Sequence, residues 1–199
     1  MIEEGMPPAR RTDTADRILD VAERLVQVHG FNGFSYADVS TKVRIRKASL
    51  HYHFPTKAGL GTALIARYQG AFLKALEEID RAGGEARGKL EKYASLYANV
   101  LRQRRMCLCG MLAADFETLP KPMRDGVTAF FAANEAWLAK LLEAGRRCGE
   151  LRFEGSGAAV ATFLVSSLEG AMLIARSYGS VPRFELVVKK LLDDLTPPA

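Results

Sequence analysis

The chain has 199 residues, 48% of them apolar, with a formal charge of +5 and a pI near 9.2. That suits one large domain, or one small and one medium, with ample material for a core. The opening MIEEGMPPARR is too polar for a signal peptide, and no apolar run of about 18 residues stands out. Cys107, Cys109 and Cys148 are odd in number and lack disulfide-framework spacing. The expectation is therefore a soluble, cytoplasmic protein of a reducing compartment, with no membrane partner.

In chain order, residues 1–12 read as a flexible arm ending in Arg10 and Arg11. Asp13 or Thr14 is placed to cap a first helix to about His29, with Ile18, Val21, Ala22, Leu25 and Val26 at helical spacing. Gly30 supplies its stop. Ser35 and Asp38 form an S-x-x-D capping box for a short second helix, Tyr36 to Lys42. After the turn Val43-Arg44-Ile45, a third helix from Arg46 to His53 buries Ala48 and Leu50, with Phe54 as its anchor and Pro55 as its end. Thr56 caps a long fourth helix from Lys57 to Ala82, which Gly83-Gly84 breaks.

Helical periods continue through the rest. Ala86 to Arg105 is followed by a loop, RRMCLCGML, and a short helix from Leu112 to Thr118. Longer helices span Met123 to Cys148, Ala158 to Tyr178 and Pro182 to Leu195, and Pro197-Pro198 close the chain. A short stretch at Glu185–Val188 is compatible with strand, and no repeat or low-complexity segment is present. The fold class expected is all-α.

The stretch from Phe34 to Leu60 has no acid after Asp38, and acids stay absent until Glu77. Lys42, Arg44, Arg46, Lys47, Lys57, Arg67 and Lys74 fall in the same span. Such a surface suits phosphates, because each cation that neutralises one releases condensed counterions. If the second and third helices form a helix-turn-helix, the third enters the major groove with its N-terminal residues at the base edges. Arg46, Lys47, Ser49 and His51 are then placed for bases, and Arg44, Tyr52, His53 and Lys57 for phosphates. No nucleophile elbow, P-loop, Gly-rich dinucleotide turn or H-E-x-x-H is present, so no enzyme and no cofactor are expected. Cys107 and Cys109 have no nearby partners to complete a metal site, and none is expected.

These residues resemble the TetR family of bacterial transcriptional regulators. Ile18-Leu19-Asp20-Val21-Ala22 is similar to the family's first-helix core, and Gly30-Phe31-Asn32-Gly33-Phe34-Ser35 to its G-[FY]-x-x-[TS] turn. Val39 to His53 is similar to its second and recognition helices, and Phe54-Pro55-Thr56-Lys57-Ala58-Gly59-Leu60 to its closing F-x-[ST]-K-x-x-L. The resemblance is strong over residues 14–61. Arg44-Ile45-Arg46 stands where the family usually has Gly-Val-Ser, and His51-Tyr52-His53 departs from its Tyr-x-His order.

The resemblance implies a helix-turn-helix domain over residues 1–56 and an effector-binding and dimerisation domain over residues 57–199. It further implies a homodimer on a palindromic double-stranded operator, most simply a repressor released by a small molecule. Candidate pocket residues are Tyr93, Tyr97, Met106, Cys107, Met111, Phe116, Phe130, Trp137, Phe163 and Ser167, with Ser166 and Glu169 as further polar partners. Ala161, Leu164, Leu168, Ala171, Val187 and Leu191 are candidates for the dimer interface.

Two alternatives stay open. One is an effector-independent DNA-binding protein. The other is a redox or electrophile sensor acting through Cys107 and Cys109, because a thiol near Arg102, Arg104 and Arg105 is expected to ionise readily. Inert buried thiols are the simpler reading of the same residues.

Overall fold

The computed structural model describes residues 9–196, with side chains from Asp13 onward, and among these residues every regular element is helical. α1 is Ala9–His29, α2 Tyr36–Val43, α3 Lys47–His53, α4 Lys57–Arg81 and α5 Ala86–Arg102. α6 is Leu108–Ala114, α7 Lys121–Arg147, α8 Gly157–Ser177 and α9 Val181–Leu195, with a 3-10 turn at Phe116–Thr118 between α6 and α7.

Several boundaries differ from the sequence reading. α1 starts at Ala9, so Arg10 and Arg11 belong to its first turn and not to an arm. The chain before Ala9, and Pro197-Pro198, lie outside the described residues. α5 ends at Arg102 because Arg104 takes a left-handed conformation at φ 59°. The segment expected as loop is largely helix: α6 begins at Leu108, with Cys107 as its cap. The stretch at Glu185–Val188 is helical within α9.

The capping chemistry is as the residues dictate. Ser35 accepts from the Asp38 N–H, and Asp38 accepts from the Ser35 N–H at 2.7 Å, closing both halves of the box. These bonds hold the Asp38 carboxyl below its ordinary range, the Ser35 hydroxyl contributing most. Thr56 caps α4 by accepting from the Gly59 N–H at 3.0 Å. Arg46 makes no side-chain cap for α3.

α2 ends in a Schellman-type turn built on Arg44, at φ 61°, and the Ile45 N–H reaches back to Ser40 O at 3.0 Å. A left-handed backbone is unusual for any residue with a Cβ. Arg17 of α1 donates to Val43 O at 2.9 Å, satisfying a terminal carbonyl of the same turn.

Burial runs without a break from Ile18 to Leu195, so the expected division at residue 56 falls at the start of α4 inside one continuous apolar cluster. α7 packs chiefly on α8 and α4, and α9 packs on α8 and α5. Contrary to the expectation of no such run, α8 is long and apolar enough to cross a membrane by length and composition. One face of it, with Ala161, Leu164, Val165, Leu168, Met172 and Ala175, is buried in the bundle.

Candidate DNA-reading face and buried effector site

α3 is held by Leu50, which has no exposed surface, and by the Tyr36 hydroxyl, which donates to Phe54 O at 2.7 Å. Its outer face carries Arg46, Lys47, His51 and Tyr52, all exposed, with Ser49 and His53 half-buried and Ala48 exposed rather than in the core as expected. The His51 ring lies 4.9 Å from that of Tyr36, and His53 meets Tyr52 edge-on at 5.4 Å. Arg44 is exposed beside the start of α3. Arg44, Arg46 and Lys47 thus share one end of the helix, free to approach an anionic surface.

Two cations counted in the same span are used elsewhere. The Lys57 ammonium donates to Phe34 O at 2.5 Å and lies over the rings of Phe31 and Phe34 at 4.7 and 4.3 Å. Burial pulls its pKa below the ordinary lysine value. Half-buried, Lys57 is engaged with the turn before α2 rather than free for the phosphate contact expected of it. Arg67 is neutralised by Asp20 at 2.7 Å and Glu23 at 2.8 Å on α1. Charge density along the chain does not reveal such pairing, because the acids lie more than forty positions away.

The candidate pocket residues converge only in part. The Tyr93 and Tyr97 hydroxyls lie 3.0 Å apart, and Tyr93 donates to Asn134 Oδ1 at 3.1 Å. Phe72 meets Tyr93, Tyr97 and Phe130 edge-on at 6.1, 6.0 and 5.2 Å, and Trp137 stacks on Tyr93 at 5.6 Å. Met106 and Cys107 are buried, and Met111 and Phe116 are half-buried against the core. A cavity that touches Tyr93 from the side of α8 and α9 holds about 10 Å³, roughly the room for one water.

Phe163 and Ser167 are corrections. Phe163 is 60% exposed on α8, and Ser167 lines a groove of about 440 Å³ between α8 and α9, so neither faces the interior. Helical phase explains both, since Phe163, Ser167, Gly170 and Ile174 follow at i+4, i+3 and i+4 along the outer stripe. The interface candidates need the opposite correction. Ala161, Leu164 and Leu168 are buried within the bundle, while Ala171 and Val187 line the groove and Leu191 is half-buried. The exposed apolar side chains here are Phe163, Leu173, Ile174, Tyr178 and Leu186.

Cys107 and Cys109 are buried, and Cys148 is exposed. Two of the three arginines expected beside these thiols are engaged elsewhere. Arg102 pairs with Glu185 at 2.6 Å, and Arg105 donates to Gln27 Oε1 at 2.8 Å. Burial, reinforced by the neighbouring Glu169, pushes the Cys107 thiol well above its ordinary range, and Cys109 upward as well. Glu169, itself raised by burial to about 7, is the charged group facing these thiols.

A set of long-range hydrogen bonds joins the end of α1 and the turn after it to the region around α6 and α8. The Met106 N–H donates to Gln27 O at 3.1 Å. Arg176 of α8 donates to Val28 O at 2.5 Å, the Phe31 N–H donates to Asp115 Oδ2 at 2.7 Å, and Asn32 donates to Thr118 Oγ1 at 2.8 Å. Residues flanking Cys107 therefore hold the last turn of α1.

Two stretches of the chain match known families. Residues 18–64 match the family described as bacterial regulatory proteins, tetR family, and residues 86–191 match the tetracyclin repressor-like C-terminal domain. A TetR-family transcriptional regulator from Agrobacterium tumefaciens is 31% identical, over 94% of this chain and 99% of that one, with a TM-score of 0.90. The reduced form of NemR from E. coli is 26% identical over 94% of this chain and 100% of that one, with a TM-score of 0.80. Among curated relatives, the HTH-type transcriptional repressor NemR of Escherichia coli strain K12 is 26% identical over 94% of this chain and 96% of its own length.

Proposed function

The chain belongs to the TetR family, whose members are transcriptional regulators and not enzymes, and on that premise we propose that it is a cytoplasmic repressor. It binds a palindromic double-stranded operator as a homodimer and is released by a small molecule. The observation that carries this reading is the α3 surface, where Arg46, Lys47 and His51 stand exposed on a helix anchored by Leu50. Arg46 and Lys47 meet base edges, and Arg44, Tyr52 and His53 position the backbone.

One such unit buries too little DNA for tight binding, so two copies are needed. The α8–α9 groove, with Gly170 and Ala171 allowing close approach and Phe163, Ile174 and Leu186 beside it, is the surface for pairing. The effector enters near Tyr93, Tyr97 and Phe130 by opening the packed core. It stabilises the state in which the end of α1 is displaced, so its differential affinity for the two states drives release.

A gel shift with the DNA upstream of the protein's own coding sequence tests the reading. Binding is expected to fall steeply with salt and to require the palindrome. Equal affinity for a scrambled fragment defeats it. Failure of every bound small molecule to change operator affinity leaves an effector-independent DNA-binding protein.

A second reading, sensing of electrophiles or oxidants through Cys107 or Cys109, is favoured by the position of Cys107, next to Glu169 and to Met106, whose N–H holds α1. Replacing Cys107 by Ser and finding unchanged release by electrophiles rejects it.

A further inference from the structure

We propose that Glu169 is the proton acceptor that lets Cys107 add to small, uncharged α,β-unsaturated carbonyl compounds. This rests on the reading of Cys107 as the sensing thiol and assigns the residue that makes it reactive.

Cys107 is 2% exposed, and its sulfur accepts from the Gly110 N–H at 3.5 Å. No arginine lowers its pKa, so the resting thiol is protonated and a base is needed. Glu169 projects from α8 onto α6 at Gly110. A Cβ at position 110 would stand 2.2 Å from Glu169 Oε2, so the glycine leaves the space that the carboxylate fills. The Cys107 sulfur and the Glu169 carboxylate thus close on the same residue, Gly110, from two sides.

The second oxygen of Glu169, Oε1, is sealed from solvent and has no hydrogen-bond partner among the described residues. A buried carboxylate oxygen without a donor is costly, and a carboxylate kept only for packing would be matched. The titratable groups around the site are Tyr68 from α4, Tyr93 and Tyr97 from α5, and Cys107 and Cys109 at α6. No cation offsets the burial of Glu169, which places its pKa at about 7, near the optimum for a base working at neutral pH. Arg176, further along α8, is turned away to Val28 O and Met111 Sδ.

The step balances without an oxidant or reductant. The Cys107 S–H bond breaks and its proton moves to the Glu169 carboxylate as sulfur bonds to the β-carbon of the electrophile. The C=C π pair moves to the bond between the α-carbon and the carbonyl carbon as the C=O π pair moves onto oxygen, giving an enolate, for which the Tyr68 hydroxyl, a neighbour of Cys107, is a donor. The protonated Glu169 returns the proton to the α-carbon. The thiol has added across the double bond, and the new bulk sits next to Met106, whose N–H holds Gln27 of α1.

The test uses the full chain and methyl vinyl ketone, with adducts located by mass spectrometry from about pH 5 to about pH 9. For the wild type, modification of Cys107 is expected to rise through about pH 7 and level off, following Glu169. Glu169→Gln is expected to slow it at least about tenfold and to leave only a rise at high pH as the thiol itself ionises. Glu169→Asp retains part of the rate. Gly110→Ala, which keeps the carboxylate but displaces it, slows the reaction too, and decides the matter if Glu169→Gln does not fold. Wild-type rate and pH profile in these variants overturn the role of Glu169 while leaving Cys107 as a sensor. Adducts at the exposed Cys148 with none at Cys107 in the wild type overturn both.

Discussion

The N–H of Met106 donates to the carbonyl of Gln27 at 3.1 Å, so the residue preceding Cys107 is fastened to the last turn of α1. The Gln27 side chain is fully buried and accepts from Arg105 at 2.8 Å, doubling the attachment. α1, which packs on α2, is thereby tied to the segment that carries Cys107. Gln27→Ala removes the side-chain half of the tie and leaves Arg105 short of an acceptor, at a cost of about 1–3 kcal/mol. Operator binding is expected to persist in this variant while release by effector weakens, measured by fluorescence anisotropy with and without ligand.

The pKa of Glu169 predicts a pH dependence of stability. Its folded value, about 7, lies above the ordinary 4.5, so the folded chain holds its proton longer than the unfolded one. Stability contributed by the neutral form is fully present below about pH 4.5, falls as pH rises toward about 7, and is lost above it. The amplitude is on the order of 3 kcal/mol. Urea unfolding at about pH 5 and about pH 8 is expected to show this fall in the wild type and its loss in Glu169→Gln.

Arg44 occupies a left-handed position at φ 61°. Arg44→Gly relieves roughly 1–2 kcal/mol of backbone strain, against about 0.5–1 kcal/mol of lost chain stiffness. A rise in melting temperature of a few degrees is expected. If Arg44 contacts a phosphate, the slope of log affinity against log salt falls by about one in the same variant.

Arg46→Ala and Lys47→Ala separate base reading from phosphate contact. Loss of a bidentate base contact costs about 1–3 kcal/mol and relaxes preference at one base position. A phosphate contact weakens all sequences alike. Competition binding across single-base variants of the operator distinguishes the two. Lys57→Ala is expected instead to lower thermal stability, because its ammonium is spent on Phe34 O and two aromatic rings.

The α8–α9 surface is tested by Ile174→Glu. Ile174 is 57% exposed, so a carboxylate there leaves the monomer's core intact but opposes close pairing of two copies. Analytical ultracentrifugation is expected to show monomers, with operator affinity reduced by at least about tenfold. A dimer of unchanged affinity excludes this face.

The sequence by itself determined whatever depends on neighbours along the chain. Ser35-x-x-Asp38 and Thr56 set the starts of α2 and α4, and the spacing of Leu50 fixed which face of α3 turns outward. Helix lengths followed from periodicity and from stops such as Gly30 and Gly83, which need no long-range partner. Tertiary structure decided where groups distant in sequence cancel or collide. It moved Arg67 onto Asp20 and Glu23, drew Lys57 inward, and turned Phe163 outward while burying Leu164 and Leu168. It also reversed the environment of Cys107, because the nearby arginines found partners on α1 and α9 and a carboxylate sixty-two positions on took their place. The protonation of a thiol depends on what is packed against it and on the loss of water there, and neither is written in its neighbours along the chain.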